Sequence, residues 1–342
     1  SAGMTYALIG MRTISGVYHH GILPVVAFAI GWLIAEGSSD KQIRDGILAL
    51  AAGFGTYATL NMLVNIGNNR YRLIDFWTGT YRAATGSGAL NTLPISVTPY
   101  AVKFEKRLPV KILFLALFFA TIQYMFMLGT RTQFAILLLI VILAALQFAY
   151  SEHGIAGILK CLGIMVVISL IAFLFYHFNV LSIRDYILST NLAARYERRA
   201  SLENSDSFRF QSFWIGLREL IQYPMGGRAS QIYRHNMWLD VGRVSGIIPF
   251  CLLLIYSIKN FANVTVIWKN PKILPSLRYL LLFLYIGAYV NCFVEPIWEG
   301  ALNFFLALCV VDGMVSAMMR RLENDPNSEE SVPDASNLHA DL

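Results

Sequence analysis

Two kinds of residue in this chain could do chemistry: arginines gathered without lysine in one stretch, and the single histidine that follows them. Between positions 178 and 238 there are eight arginines (Arg184, Arg195, Arg198, Arg199, Arg209, Arg218, Arg228 and Arg234) against five acids and no lysine. Arginine carries a planar, permanently charged fork that matches phosphate and carboxylate, whereas lysine is a point charge. Arg70, Arg72, Arg82 and Arg131 stand in shorter connections and extend the same pattern. The plain reading is a solvated loop that touches lipid phosphates. The sharper reading is an anion site for a phosphorylated substrate held in the membrane. His235 ends the stretch, followed by Asn236. An imidazole titrates near pH 6.5 and can take a proton from a hydroxyl at neutral pH. Neighbouring arginines favour its neutral, basic form. A histidine alone at such an edge is more often structural than catalytic.

The elements that must position these residues are apolar. Of 342 residues 56% are apolar and 14% charged, with a mean hydropathy of +0.54, too little polar surface to cover a soluble core of this size. A membrane helix needs about 20 apolar residues, and the spans expected are 21–36, 46–66, 84–102, 112–129, 133–150, 161–177, 239–257, 277–294 and 300–318. The third, with Thr, Ser, Asn, Pro94 and Pro99, suits the bundle interior or a cavity wall better than lipid. The expected fold is an all-α, polytopic helical bundle. Its parts are about six spans in 1–177, one large loop at 178–238, about three spans in 239–318 and a polar, disordered tail at 319–342. Cys161, Cys251, Cys292 and Cys309 lie in apolar segments without metal-ligand spacing and read as packing residues.

Charge decides the orientation. With the 178–238 loop outside, all eight lysines fall in inner connections, while 14 of the 19 arginines fall outside. Lysine then follows the cytoplasmic bias of positive charge completely. Within the loop, Phe213, Trp214, Leu217, Leu220 and Ile221 recur at helical spacing, with Gln211, Arg218, Glu219 and Gln222 on the other side. This reads as a short amphipathic helix lying flat on the membrane, stopped by Pro224, Gly226 and Gly227. Arg195, Arg198, Arg199 and Leu202 share a face of a second short helix. Glu295 and Glu299, flanking Pro296 and Trp298, are read mainly as structural, with a helping role as the alternative.

His235-Asn236, nine residues, then Gly246 resembles the signature ending the large periplasmic loop of the O-antigen polymerase and O-antigen ligase superfamily. Gly129-Thr130-Arg131-Thr132 resembles that family's Ser/Thr-Arg opening of a span. Arg209, Trp214 and Tyr223-Pro224-Met225-Gly226 resemble its Arg, Trp and Pro-x-Gly loop elements, and the stretch 70–80 is similar to the segment before that opening. The likeness covers residues 65–255. Family members carry more spans ahead of the loop, so further N-terminal spans are expected to be missing from this chain. Residues 6–9 do read like the end of an apolar segment.

The resemblance implies a GT-C-like bundle in the bacterial inner membrane, with its active site facing the periplasm. It implies a cofactor-free, metal-independent transfer of an undecaprenyl-diphosphate-linked glycan to an acceptor hydroxyl. His235 would be the base. Arg209 and Arg131 would stabilise the leaving diphosphate. Arg195, Arg199, Arg72, Arg234 and Asn236 would bind substrate. The acceptor would be a second lipid-linked glycan, as for a polymerase, or lipid A-core, as for a ligase; transfer to protein is a third option. Membrane lipids and a chain-length regulator are the further partners, and nucleic acid is not one. Two readings from other classes stay open: a transporter or flippase for an anionic lipid-linked substrate, and a scaffold of a glycan-export complex.

Overall fold

A computed structural model describes residues 18–66, 72–200, 205–228 and 232–324. Helix α1 (Leu23–Glu36) follows a π turn at Tyr18–Ile22 and ends at Gly37. Ser39 and Gln42 then form a reciprocal cap on α2 (Asp40–Val64), satisfying donors that a helix start leaves open. Strands β1 (Arg72–Ile74) and β2 (Tyr81–Ala83) pair antiparallel, with Leu73 opposite Arg82. The Asp75 carboxylate accepts the Trp77 and Thr78 amides (3.0 and 2.9 Å) and closes the turn between them. Next come α3 (Ala84–Leu90), α4 (Thr92–Phe104), α5 (Leu108–Leu128) and α6 (Arg131–His177). The loop carries α7 (Ile183–Ser189), α8 (Asn191–Ala200) and α9 (Ser205–Gln222). The chain ends with α10 (Met237–Ser245), α11 (Ile247–Lys269), α12 (Pro275–Val294), α13 (Ile297–Gly300) and α14 (Leu302–Glu323).

Seven helices among the described residues are long and apolar enough to cross a membrane: α1 with its leading turn, α2, α5, α6, α11, α12 and α14. The protein is thus a predominantly helical, multi-pass membrane protein, its strands confined to the β1–β2 pair among the described residues. Helix α6 runs for 47 residues and breaks at Gly154, at φ +59°, so it holds the two expected spans 133–150 and 161–177. The expected span 84–102 is two helices instead of one, α3 and α4. Thr92, Ser96 and Thr98 are buried there, and α4 packs against α12, α5 and α6. Lipid offers such hydroxyls no partners; the interior does, since Ser96 and Thr98 donate to carbonyls one turn back (2.7 Å each). The span expected at 239–257 needs correction. The chain breaks at Gly246, at φ +97°, and the membrane helix is α11. Lys259 therefore sits inside α11, where a long stem carries its charge along the helix, and not in a connection.

Small residues set the closest packing. A Cβ on Gly31 would collide with the Val310 carbonyl, and one on Gly313 with the Phe28 carbonyl. These glycines let α1 and α14 meet backbone to backbone, the usual device where lipid supplies no hydrophobic drive between helices. An apolar groove of about 740 Å³ opens between α1 and α2, lined by Val26, Ile30, Gly53, Trp77 and Leu306.

Ion pairs gather at one end of the bundle. Arg107 bridges Asp45 and Glu105 (2.9 Å each), Lys103 pairs with Glu152, and Arg321 with Asp40 (3.6 Å). Burial disfavours the Glu105 carboxylate, but the hydrogen bonds from Arg107 outweigh it and hold the group below its usual range. Deep in the bundle, Asp312 accepts the Tyr285 and Tyr256 hydroxyls (2.5 and 2.7 Å), tying α14 to α12 and α11. Trp238 Nε1 donates to Ser257 Oγ (2.9 Å) and the Tyr289 hydroxyl to the Ser257 carbonyl (3.0 Å). That fastens α10 to the same knot and fixes the segment just ahead of it.

Candidate active site

At the opposite end, the segment before α10 holds His235. Its backbone is left-handed, at φ +54°, a conformation uncommon for a residue with a side chain and one that costs on the order of 1 kcal/mol or more. The next residue ends the strain. Asn236 is extended, and its Oδ1 accepts the Leu239 amide (3.0 Å), capping α10. Its Nδ2 donates to the Phe293 carbonyl (3.2 Å), which brings the end of α12 against the histidine.

Glu295 closes that end. It is 2% exposed, and its Oε2 lies 4.0 Å from His235 Nδ1. Its Oε1 accepts the hydroxyl of Thr132, in the first turn of α6 beside Arg131. Glu295 thus joins two segments about a hundred residues apart in sequence, Arg131-Thr132 and His235-Asn236. The Arg131 guanidinium lies 5.9 Å over the ring of Tyr196 on α8, and its Nη1 is buried without a hydrogen-bond partner among the described residues. A buried, unused donor on a cation is poised for an anion. Gly86 of α3 and Gly300 pack beside Glu295, with the Gly300 carbonyl standing where a Gly86 Cβ would be.

The loop is braced from the other side, and here α9 departs from expectation. Its buried face carries Ser212, Gly216, Glu219 and Leu220, while Trp214 and Ile221 are exposed. Glu219 is turned inward because Arg234 meets it with two bonds, Nη2 to Oε1 at 2.7 Å and Nε to Oε2 at 3.1 Å. A buried carboxylate with such a partner is tolerated where a lone one is not. This engages the fork of Arg234 within the protein. Arg228 approaches the same carboxylate at 3.7 Å and covers the ring of Tyr223 at 4.4 Å.

Pro224-Met225-Gly226 and Gly246 meet directly. The Ile247 amide donates to the Pro224 carbonyl (2.8 Å) and the Gly227 amide to the Val244 carbonyl (3.0 Å). A Cβ on either glycine would strike the other strand's backbone, and both have positive φ, +72° and +97°. Beneath this crossing Arg243 pairs with Glu299 and lies 3.6 Å from Asp240. Burial raises the Glu299 pKa, and Arg243 opposes that rise.

Of the residues singled out in the sequence, Arg131, His235 and Asn236 come together at one end of the bundle. Arg209 falls on α9, Arg195 and Arg199 on α8 and Arg72 on β1, but their side chains lie outside the described residues. Leu202 and position 319–342 beyond Asn324 lie outside them too. Glu295 is the residue whose place the sequence reading undervalued. Its signal was a carboxylate directly before Pro296 at the end of a long apolar run. No three His, Cys, Asp or Glu residues cluster among the described residues. No family model, no curated protein and no solved structure matches the chain.

Proposed function

We propose that this multi-pass membrane protein is a glycosyltransferase that moves a glycan from a lipid diphosphate carrier to an acceptor hydroxyl, as the O-antigen polymerases and ligases do. The observation that carries the reading is the junction at Glu295, where a histidine and the arginine-bearing start of α6 converge. A base beside an anion site is what this reaction needs. The acceptor O–H proton passes to His235 Nε2 while the acceptor oxygen bonds to the sugar's anomeric carbon. The bond from that carbon to the carrier oxygen breaks, its electron pair stays on the diphosphate, and the lipid diphosphate departs. The imidazolium then returns its proton to solvent. Negative charge grows on the diphosphate, so cations held ready for it lower the barrier. Arg131 is the described candidate; Arg209, Arg195, Arg199 and Arg72 are proposed on the family pattern. Arg234 is given the task of holding α9 through Glu219, and Asn236 that of fixing the start of α10.

The apolar groove between α1 and α2 suits the carrier's hydrocarbon tail. Leu90 of α3 lines the groove, one turn along from Gly86, which packs beside Glu295. The carrier is proposed to be undecaprenyl diphosphate, at the periplasmic face of a bacterial inner membrane. Extension of a second lipid-linked glycan, as by a polymerase with a chain-length regulator, is preferred. Transfer to lipid A-core is the alternative.

The test is reconstitution in vesicles with an undecaprenyl-diphosphate-linked glycan and both acceptors. Release of free undecaprenyl diphosphate in step with glycan transfer is expected, and His235→Ala should stop it. Movement of the intact donor across the bilayer, with no carrier released, would replace this reading by the transporter one.

A further inference from the structure

Position 295 puts a carboxylate at the end of a helix and beside a histidine. Glu295 is the C-terminal cap of α12, its amide bonded to the Asn291 carbonyl (3.0 Å). The end of a helix carries partial negative charge and favours cations. Burial there adds a second penalty against a carboxylate. A cap needs neither charge nor acidity, so a glutamine would fill the same space and accept the same Thr132 hydroxyl. On the other side of the gap, His235 holds a left-handed backbone at φ +54°, so the chain also bears local strain to bring this ring to this carboxylate. Two separate costs converge on one pair.

We propose that Glu295 is a positioning residue that holds the His235 ring by its Nδ1 and leaves Nε2 directed to the acceptor hydroxyl. The inference rests on the proposed base role of His235. Thr132 bonds to Oε1 of the carboxylate, and Oε2 is the oxygen that faces the imidazole. Nδ1 and Oε2 stand 4.0 Å apart, and such pairs commonly tighten when substrate closes the site. As the acceptor proton moves to Nε2, the ring becomes cationic beside an anion, and that attraction grows only as the reaction proceeds. Interactions that strengthen toward the transition state are the ones that accelerate a reaction. Because Thr132 adjoins Arg131, the same carboxylate sets the distance between base and anion site.

Charged and titratable groups of several elements stand near His235. On its own segment, Tyr233 packs edge-on to the ring (centroids 4.8 Å apart) and Arg234 turns to Glu219 of α9. On α10, Asp240 accepts the Arg234 amide (2.6 Å). Arg131 stands at the start of α6. Of these, Glu295 is the carboxylate that the structure places against the ring itself. A facing negative charge favours imidazolium, so its removal should lower the pH at which the histidine becomes a base.

Glu295→Gln is the test, read in the reconstituted transfer assay. The turnover number should fall by about a hundredfold, within the range a general base contributes, while KM for the lipid-linked donor changes little. The acid limb of the pH–rate profile should move to lower pH. Thr132→Val, which frees the carboxylate without removing it, should lower turnover less and leave that limb in place. Full turnover and an unmoved acid limb in Glu295→Gln, with His235→Ala inactive, would overturn the pairing and leave the base role standing. An active His235→Ala would remove the base role itself. If Glu295→Gln does not accumulate in the membrane, Glu295→Asp decides. It should keep the acid limb and lose turnover, and wild-type turnover there would overturn the proposal.

Discussion

At the scale of single residues, the arginines of this end of the bundle differ in how far the protein itself engages them. Arg234 and Arg243 are bound to Glu219 and Glu299, whereas Arg131 keeps a buried Nη1 without a partner among the described residues. Arg209 sits on α9, the helix that braces His235 through Glu219 and Arg234. If it grips the diphosphate, Arg209→Lys keeps the charge and loses the fork. Losing one bond to a charged group, worth roughly 1.5–3 kcal/mol, should slow transfer by about 10–10² with insertion unchanged. Wild-type rates in that variant would take Arg209 out of the anion site. The same comparison shows why the sequence misplaced some roles. Eight arginines in a loop look alike until their partners are known, and Glu219 looked like the polar side of a surface helix before Arg234 turned it inward.

At the scale of elements, the loop is held by a backbone crossing, a cap and a side-chain hydrogen bond. Pro224-Met225-Gly226 crosses Gly246, Asn236 caps α10, and Trp238 fastens α10 to Ser257. The two glycines were legible as motif pieces, but their reason is contact between segments twenty residues apart, which no local pattern reveals. Gly246→Ala puts a methyl against the Pro224 carbonyl in a backbone region that disfavours side chains. It should loosen the loop, seen as faster protease cleavage between 178 and 236, and should reduce transfer sharply. Unchanged cleavage and activity would mean that the crossing does not hold His235 in place. The broken pair α3 and α4 was legible in part. Its prolines and hydroxyls gave away a buried element, but its division at Asn91 depends on packing against α12 and α13.

At the scale of the whole molecule, the membrane character was readable because apolar runs need no partner to be recognised. The break of α6 at Gly154 was legible as the gap between the spans 133–150 and 161–177, but not that one helix assignment runs across it. The Arg107 and Arg321 ion pairs lie at one end of the bundle and the His235 cluster at the other. Cysteines placed at Lys111 and at Trp77, which is 81% exposed on the hairpin turn, should therefore label from opposite faces of the membrane, Trp77 from outside. Labelling of both from one side would overturn the topology. The central claim is that His235 accepts a proton during breakage of the carrier bond. The most direct measurement is the pH–rate profile of carrier release by wild-type protein and by His235→Gln, which keeps a hydrogen-bonding group but cannot take up a proton near neutrality. Wild-type release should rise with pH through an acid limb as the imidazole loses its proton, and His235→Gln should fall by about 10²–10⁴ with that limb gone. Near-normal release by His235→Gln, with the acid limb intact, would contradict the central claim.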